Sequence, residues 1–256
     1  MLSPKQIEIL RWPYTGKRAL ICDGAVRTGK TSVMSLSFLL WAMGNFERRN
    51  FGICGKTVSS AERNVIQPLQ NVAYLAQNGF ALEYTRSGHV LTVARGKRVN
   101  TFYVFGGRDE SSYMLIQGVT LAGVLLDEAA LMPRSFVEQA LARCSVEGSK
   151  FWFNCNPEGP GHWFFQEWLD GDKLREKNAL HLHFTMEDNP SLPPKIRARY
   201  ESMYSGVFYD RYVRGLWVAS DGLVYPQFAN APERYVIDTP PPIQYAVIGV
   251  DFGGTG

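Results

Sequence analysis

The chain has 256 residues, 45% of them hydrophobic and 20% charged, with a formal net charge of +3. Those proportions are ordinary for a soluble globular protein, and a chain this long buries a sizeable core without disulfides or metals. So small a net charge excludes reading nucleic-acid binding from bulk charge; any DNA contact has to use local basic clusters.

The four cysteines, Cys22, Cys54, Cys144 and Cys155, are scattered, with no CxxC pair and no zinc-ligand spacing. Each sits in or beside an apolar run, which suits buried thiols in a reducing compartment. The N-terminus lacks the layout of a signal peptide. Apolar stretches break well before the roughly 18 residues a membrane span needs.

Ser3 to Leu10 reads as a short helix with a Ser-Pro cap. Arg18 to Cys22 is a buried strand entering a turn at Asp23-Gly24, and Thr31 to Met43 an internal helix, apolar nearly all round. Phe51 to Cys54 is a second strand, followed by a helix over Ser59 to Gln77. Val90 to Val93 and Arg98 to Phe105 alternate like a hairpin that turns at Arg95-Gly96-Lys97. Gly123 to Leu126 is a strand, Ser135 to Arg143 a helix after Pro133, and Lys150 to Asn154 a strand again. Strands alternating with helices imply a mainly parallel sheet covered on both faces. Ser220-Asp221-Gly222 and Thr239-Pro240-Pro241-Pro242 bracket a poorly periodic linker, after which Tyr245 to Val250 starts a new strand. A lone strand is not a domain, so the sequence reads as cut short there.

Gly24-Ala25-Val26-Arg27-Thr28-Gly29-Lys30-Thr31 matches GxxxxGK[ST] in full. Chance would give such a match in roughly one chain of this length in a hundred. The preceding strand and the following helix sharpen the signal. Glycines let backbone N–H groups converge on phosphates, and the helix N-terminus adds partial positive charge. Lys30 would reach the β and γ phosphates of ATP, and the Thr31 hydroxyl would ligate Mg²⁺. The bland alternative is a glycine-rich turn with a solvated lysine.

Val124-Leu125-Leu126-Asp127-Glu128 is an apolar run ending in two carboxylates. Ligands bind at the C-terminal ends of strands in open α/β sheets. Asp127 would hold Mg²⁺ through water, and Glu128 would polarise the attacking water as a general base. A solvated Asp-Glu turn is the competing reading, weakened by the upstream phosphate loop. Metal-holding needs only the first carboxylate, so the pair points to hydrolysis and mechanical work rather than kinase chemistry.

Further along come Phe151 to Pro160 (FWFNCNPEGP), Thr185 to Leu192 (TMEDNPSL), Arg214-Gly215-Leu216-Trp217 and Gly222 to Pro226 (GLVYP). In this order and spacing the chain closely resembles phage terminase large subunits, particularly the PBSX-like type found in defective Bacillus prophages. The resemblance covers essentially the whole chain. It implies an α/β P-loop NTPase of the ASCE type, a mainly parallel sheet flanked by helices, over residues 1–217. A linker at 218–244 and the first strand of a ribonuclease-H-like nuclease at 245–256 would follow.

The resemblance also implies roles. Asn154, with Asn156 beside it, falls at the coupling motif, where an amide could sense the γ-phosphate; Asn156 could equally cap the turn before Pro157. Gln6 matches the adenine-recognising glutamine, with Trp12 and Tyr14 as a stacking face, although a lone helical Gln is usually solvated. For the arginine finger two positions stay open: Arg27 inside the loop, and Arg143 after the acidic pair. The position about ten residues before the pair is Gln117-Gly118 and supplies none. Implied cofactors and partners are ATP with Mg²⁺, double-stranded DNA, the portal protein, the small subunit and a homo-oligomeric ring on the procapsid. The setting would be the bacterial host's cytoplasm, with no membrane.

Ile248 to Gly256 (IGVDFGGTG) resembles both an actin-like kinase hairpin and the opening strand of the terminase nuclease. The complete ATPase motifs upstream favour the second, with Asp251 as a nuclease metal ligand for Mg²⁺ or Mn²⁺. Two-metal cleavage needs more carboxylates than this chain offers, so ATP hydrolysis without DNA cutting is the expectation. His181 and His183 could share a strand face and hold metal, but with two ligands evident they read as structural. Lys173 to Lys177 and Lys195 to Arg199 read as DNA-contacting clusters or as solvated helix faces. A helicase-like ATPase and a non-catalytic nucleotide-binding assembly module are the competing functions.

Overall fold

The computed structural model describes residues 2–219 and 234–235. The chain divides into two compact units, Met1–Asp221 and Gly222–Gly256, and every element named below lies in the first. Eight strands among the described residues form one sheet: β1 Ala19–Gly24, β2 Asn50–Gly55, β3 Phe80–Thr85, β4 Val90–Arg95, β5 Arg98–Gly106, β6 Gly123–Asp127, β7 Lys150–Asn154 and β8 Ala179–Phe184. Their order is β3-β4-β5-β2-β6-β7-β1-β8. From β5 to β8 in that order every neighbouring pair is parallel, while β3 and β4 extend the sheet as antiparallel strands.

The helices are α1 Pro4–Arg11, α2 Lys30–Asn45, α3 Val58–Ala61, α4 Gln67–Gln70, α5 Ala73–Gln77, α6 Arg134–Ala142, α7 Lys173–Glu176, α8 Pro194–Met203 and α9 Gly206–Tyr212. Ser3 caps α1 in a reciprocal capping box with Gln6, which satisfies donors the first turn otherwise leaves open. No helix among the described residues is long and apolar enough to cross a membrane.

Side-chain alternation in β1 divides the core. Leu20 and Cys22 face a cluster built on α2, with Met34, Phe38 and Trp41 against Phe51, Ile53 and Trp152. Ala19 and Ile21 face a second cluster with Leu126, Phe136, Phe153 and Phe164. Burying each large side chain is worth about 1.5–3 kcal/mol. Helix α2 is apolar nearly all round, as expected, because α1 covers its outer side, where the Ser37 hydroxyl donates to the Ile9 carbonyl at 2.7 Å.

Two expectations need correcting. The single helix predicted over Ser59–Gln77 is broken: α3 passes through a π-helical turn, Glu62–Ile66, into α4, and α5 starts afresh. Pro68 has no N–H to give to the Asn64 carbonyl, and its ring would crowd that oxygen in a regular α-helix; the wider turn relieves both. The element reading also missed β3, and it gave no bounds to β8, noting only that His181 and His183 could share a strand face. The former alternates between buried and exposed positions, and the latter carries two histidines that interrupt its apolar run.

Candidate active site

Strand β7 lies between β1, which leads into the phosphate loop, and β6, which ends in the acidic pair. This register puts Asn154 beside Asp127 on one side and beside Cys22 on the other. The C-terminal ends of three parallel strands therefore converge on one cavity of about 430 Å³, lined by residues 26–32 of the loop together with Asn64, Asp127, Glu128 and Asn154.

The loop's backbone is dictated by what it touches. Gly24 has φ of +120°, and a Cβ there would stand 2.0 Å from the Phe184 carbonyl oxygen. Ala25 N–H donates to that carbonyl at 2.8 Å, and Val26 N–H to the Tyr212 carbonyl at 2.9 Å. Gly215, at φ +73°, approaches so closely that a Cβ would meet Ala25 N at 2.6 Å and Gly24 Cα at 2.8 Å. The Arg-Gly-Leu-Trp motif thus packs its glycine backbone to backbone on the phosphate loop. Gly215→Ala should add both left-handed strain and a clash, about 2 kcal/mol together. The thermal midpoint should fall by about 4–8 °C; an unchanged midpoint would show that the two backbones do not press on one another.

Lys30 is 5% exposed and turns back on the loop, donating to the carbonyls of Gly24 at 3.1 Å and Ala25 at 2.6 Å. Its ammonium also reaches Asn156 Oδ1 at 3.4 Å. Burial pulls its pKa down to about 8. A buried ammonium gripping neutral carbonyls is a cation without a matching anion, and phosphate oxygens would supply one.

Asp127 is 2% exposed and surrounded by neutral donors. Thr31 Oγ1 donates to its Oδ1 at 3.3 Å and Asn64 Nδ2 to its Oδ2 at 3.1 Å; Asn154 Nδ2 also donates to Oδ1 and reaches Thr31 Oγ1 at 2.8 Å. Burial raises the carboxyl's pKa, while the Asn154, Asn64 and Thr31 hydrogen bonds pull it back. The Asn154 Oδ1 atom is buried without a partner. Glu128 follows in the left-handed region at φ +60°, half-buried, its carboxyl pKa raised by burial and by the charge of Asp127, with Arg63 opposing. A non-glycine residue held there is uncommon, and the two consecutive carboxylates line the same cavity in different settings: Asp127 inside the amide cluster, Glu128 outside it.

The geometry sorts the remaining candidates. Arg27 lies at the cavity edge, at φ +61°, donating from Nε to the Tyr200 hydroxyl at 2.8 Å. Arg143 does not enter the cavity: its carbonyl accepts from Leu121 N–H, just before β6 begins, at the opposite end of that strand from Asp127. Gln6 is 4% exposed; its Oε1 accepts from Ser3 N–H at 3.1 Å and its Nε2 donates to the Thr28 carbonyl at 3.0 Å. In this structure it braces the phosphate loop from α1 rather than facing an open base site. Trp12 cannot stack on a base, because it is fully buried edge-on to Trp152, with ring centroids 4.7 Å apart. Tyr14 is exposed. Asp251 and the strand expected over Tyr245–Val250 lie outside the described residues.

Two contributors were invisible in the sequence. Asn64 reaches Asp127 from the π-helical turn, and no local motif marks it. The histidines do have a third companion, Asp23, whose Oδ1 lies 2.8 Å from His181 Nε2 and 3.0 Å from His183 Nδ1.

Comparison with known proteins agrees with this architecture. The model of the family "Terminase large subunit, T4likevirus-type, N-terminal" matches residues 21–230. No curated protein matches the chain. The large terminase of a thermophilic bacteriophage is 53% identical, with a TM-score of 0.82, the match covering 89% of this chain and 56% of that one. A structure of the same thermophilic phage terminase in complex with ADP matches at 52% identity and a TM-score of 0.81, with 89% and 56% covered. The Thermus phage P74-26 large terminase ATPase domain shares the fold at 17% identity and a TM-score of 0.63, with 82% and 92% covered. This chain thus spans 56% of the length of the thermophilic phage protein. Because the family model takes in well over half of the residues, the chain belongs to the T4likevirus-type terminase large subunits, and residues 21–230 are their N-terminal part.

Proposed function

We propose that this chain hydrolyses ATP to drive double-stranded DNA into a phage procapsid. The observation that carries the reading is the hydrogen-bonded set Thr31, Asp127 and Asn154, with Lys30 bonded to Asn156, around a single cavity that Glu128 also lines. Lys30 exchanges its grip on the loop carbonyls for the β and γ phosphates. Glu128, raised in pKa by burial, orients the attacking water and takes its proton. The ADP and ATP-γ-S complexes of the thermophilic phage terminase support nucleotide as the ligand.

The residues fit a Mg²⁺ ion. Thr31 and Asp127 offer hard oxygen ligands, and the unpartnered Asn154 Oδ1 can accept from a water of the ion's hydration shell. When bound, the ion neutralises charge building up between the β and γ phosphates. Asn154, touching both Thr31 and Asp127, is the residue that would register the change when the γ-phosphate leaves.

Family membership further supports the portal protein, the small subunit and a homo-oligomeric ring as partners, in the cytoplasm of the bacterial host. Phosphate release from Mg·ATP by the purified chain tests the reading. Hydrolysis should be slow alone and rise on assembly with portal and DNA. Lys30→Ala should weaken nucleotide affinity at least about tenfold and lower turnover with it, because one charge-assisted contact is worth about 1.5–3 kcal/mol. Full turnover by Lys30→Ala would remove the loop from the chemistry, and DNA strand separation without packaging would turn the reading toward a helicase.

A further inference from the structure

On the face of the sheet opposite α2, directly beneath the phosphate loop, Asp23, His181 and His183 turn their side chains together. We propose that they bind one divalent transition-metal ion, Zn²⁺ or a chemically similar ion, in a three-ligand site separate from the Thr31–Asp127 cluster.

Strand pairing brings the ligands together. Strands β1 and β8 run parallel with Ile21 opposite His181 and Asp23 opposite His183. Two residues apart on one strand, the histidines share a face, and Asp23 lies on that face of the neighbouring strand. All three ligand atoms fall within 4.8 Å of one another. Both ring nitrogens approach the same carboxylate oxygen, at 2.8 and 3.0 Å. Ligands bound to one ion at about 2.0–2.1 Å stand about 3.0–3.4 Å apart. The two Asp23–histidine distances are already close to that spacing, and an ion would draw in the two histidine nitrogens, which lie within 4.8 Å of one another.

The surroundings resemble the outer support that metal ligands usually have. Trp217 Nε1 donates to Asp23 Oδ2 at 2.6 Å, which leaves Oδ1 to face the histidines. Such a partner fixes carboxylate direction. Asp23 is 1% exposed while the His181 and His183 side chains are 27% and 37% exposed, so the anion is buried and the site stays open on one side for an ion and a water ligand. Two imidazoles and one carboxylate select Zn²⁺ and its neighbours over Mg²⁺, which prefers oxygen alone.

Occupancy would have a mechanical consequence. Asp23 immediately precedes Gly24, and Arg214 to Trp217 carries the glycine that presses on the loop. One ion would pin together β1, β8 and, through Trp217, the loop's outer support.

The test uses the full chain, stripped with chelator and kept in millimolar Mg²⁺ so that the oxygen-rich site is filled. Zn²⁺ is titrated calorimetrically and Co²⁺ by visible absorption. One ion per chain should bind, with Co²⁺ giving ligand-field bands, and saturating Zn²⁺ should raise the melting midpoint. His181→Gln/His183→Gln should weaken binding at least about a hundredfold with unchanged circular dichroism. Cys144→Ser, the least buried thiol, should bind as the parent does. Should the double variant misfold, His181→Gln alone, at a half-exposed strand position, must still cost at least about tenfold. Absence of saturable binding by the folded chain, or equal affinity in the histidine variants, would overturn the site and show a hydrogen-bonded cluster only.

Discussion

Glu128→Gln should leave ATP binding within about twofold and cut hydrolysis by about a thousandfold, within the range of about 10²–10⁴ for a positioned general base. The substitution is nearly isosteric and keeps a hydrogen-bonding group at the cavity rim. What it removes is the ability to take a proton. The left-handed backbone of Glu128 and its separation from the Asn154–Thr31–Asn64 cluster mean that Asp127 keeps all its donors in the variant. Binding and turnover should therefore part company, as measured by a fluorescent nucleotide and by single-turnover phosphate release. A variant that still turns over at more than about a tenth of the parent rate would move the base elsewhere.

Arg27→Ala should lower the assembly-stimulated rate by about a thousandfold, the low end of what an arginine on the transferring phosphate contributes. Arg27 is the candidate finger that lines the cavity. Its guanidinium is parked on Tyr200, through the 2.8 Å hydrogen bond and a cation–π contact with the carbon 5.7 Å from the ring centroid. Reaching the γ-phosphate requires leaving that perch, so Tyr200→Phe, which keeps the ring and loses the hydroxyl, should retain activity. Arg143, at the far end of β6, can act only on a neighbouring subunit, and Arg143→Ala should change the stimulated rate by less than about threefold. The reverse pattern, with Arg143→Ala crippling and Arg27→Ala mild, would assign the finger to a subunit interface.

Features carried by contiguous residues were legible before the structure. The phosphate loop and the Asp127-Glu128 pair are each a few residues long, and their chemistry depends on backbone and side chains within that span. The parallel sheet followed from strand–helix alternation. What escaped depends on distant approaches. Asn64 enters the site because Pro68 forces a wider turn, a consequence of a residue four positions away. Asp23 and His183 meet only through the register of β1 on β8. Gln6 is a case of another kind: the family resemblance implies a role toward the base, while its contacts place its amide against Ser3 and Thr28. Trp12 failed as a stacking residue for a simpler reason, since an aromatic near a motif is more often core.

The bond from Val26 to Tyr212 and the packing of Gly215 on Gly24 bear on where a working fragment has to stop. A boundary drawn after Phe184 would enclose every strand of the sheet and both carboxylates. It would also strip the outer wall from the phosphate loop, freeing the Val26 amide and uncovering the glycine that begins the motif. The smallest piece that folds and the smallest piece that binds nucleotide are then different lengths. The added stretch runs to Trp217, whose indole is bonded to the residue just before the loop.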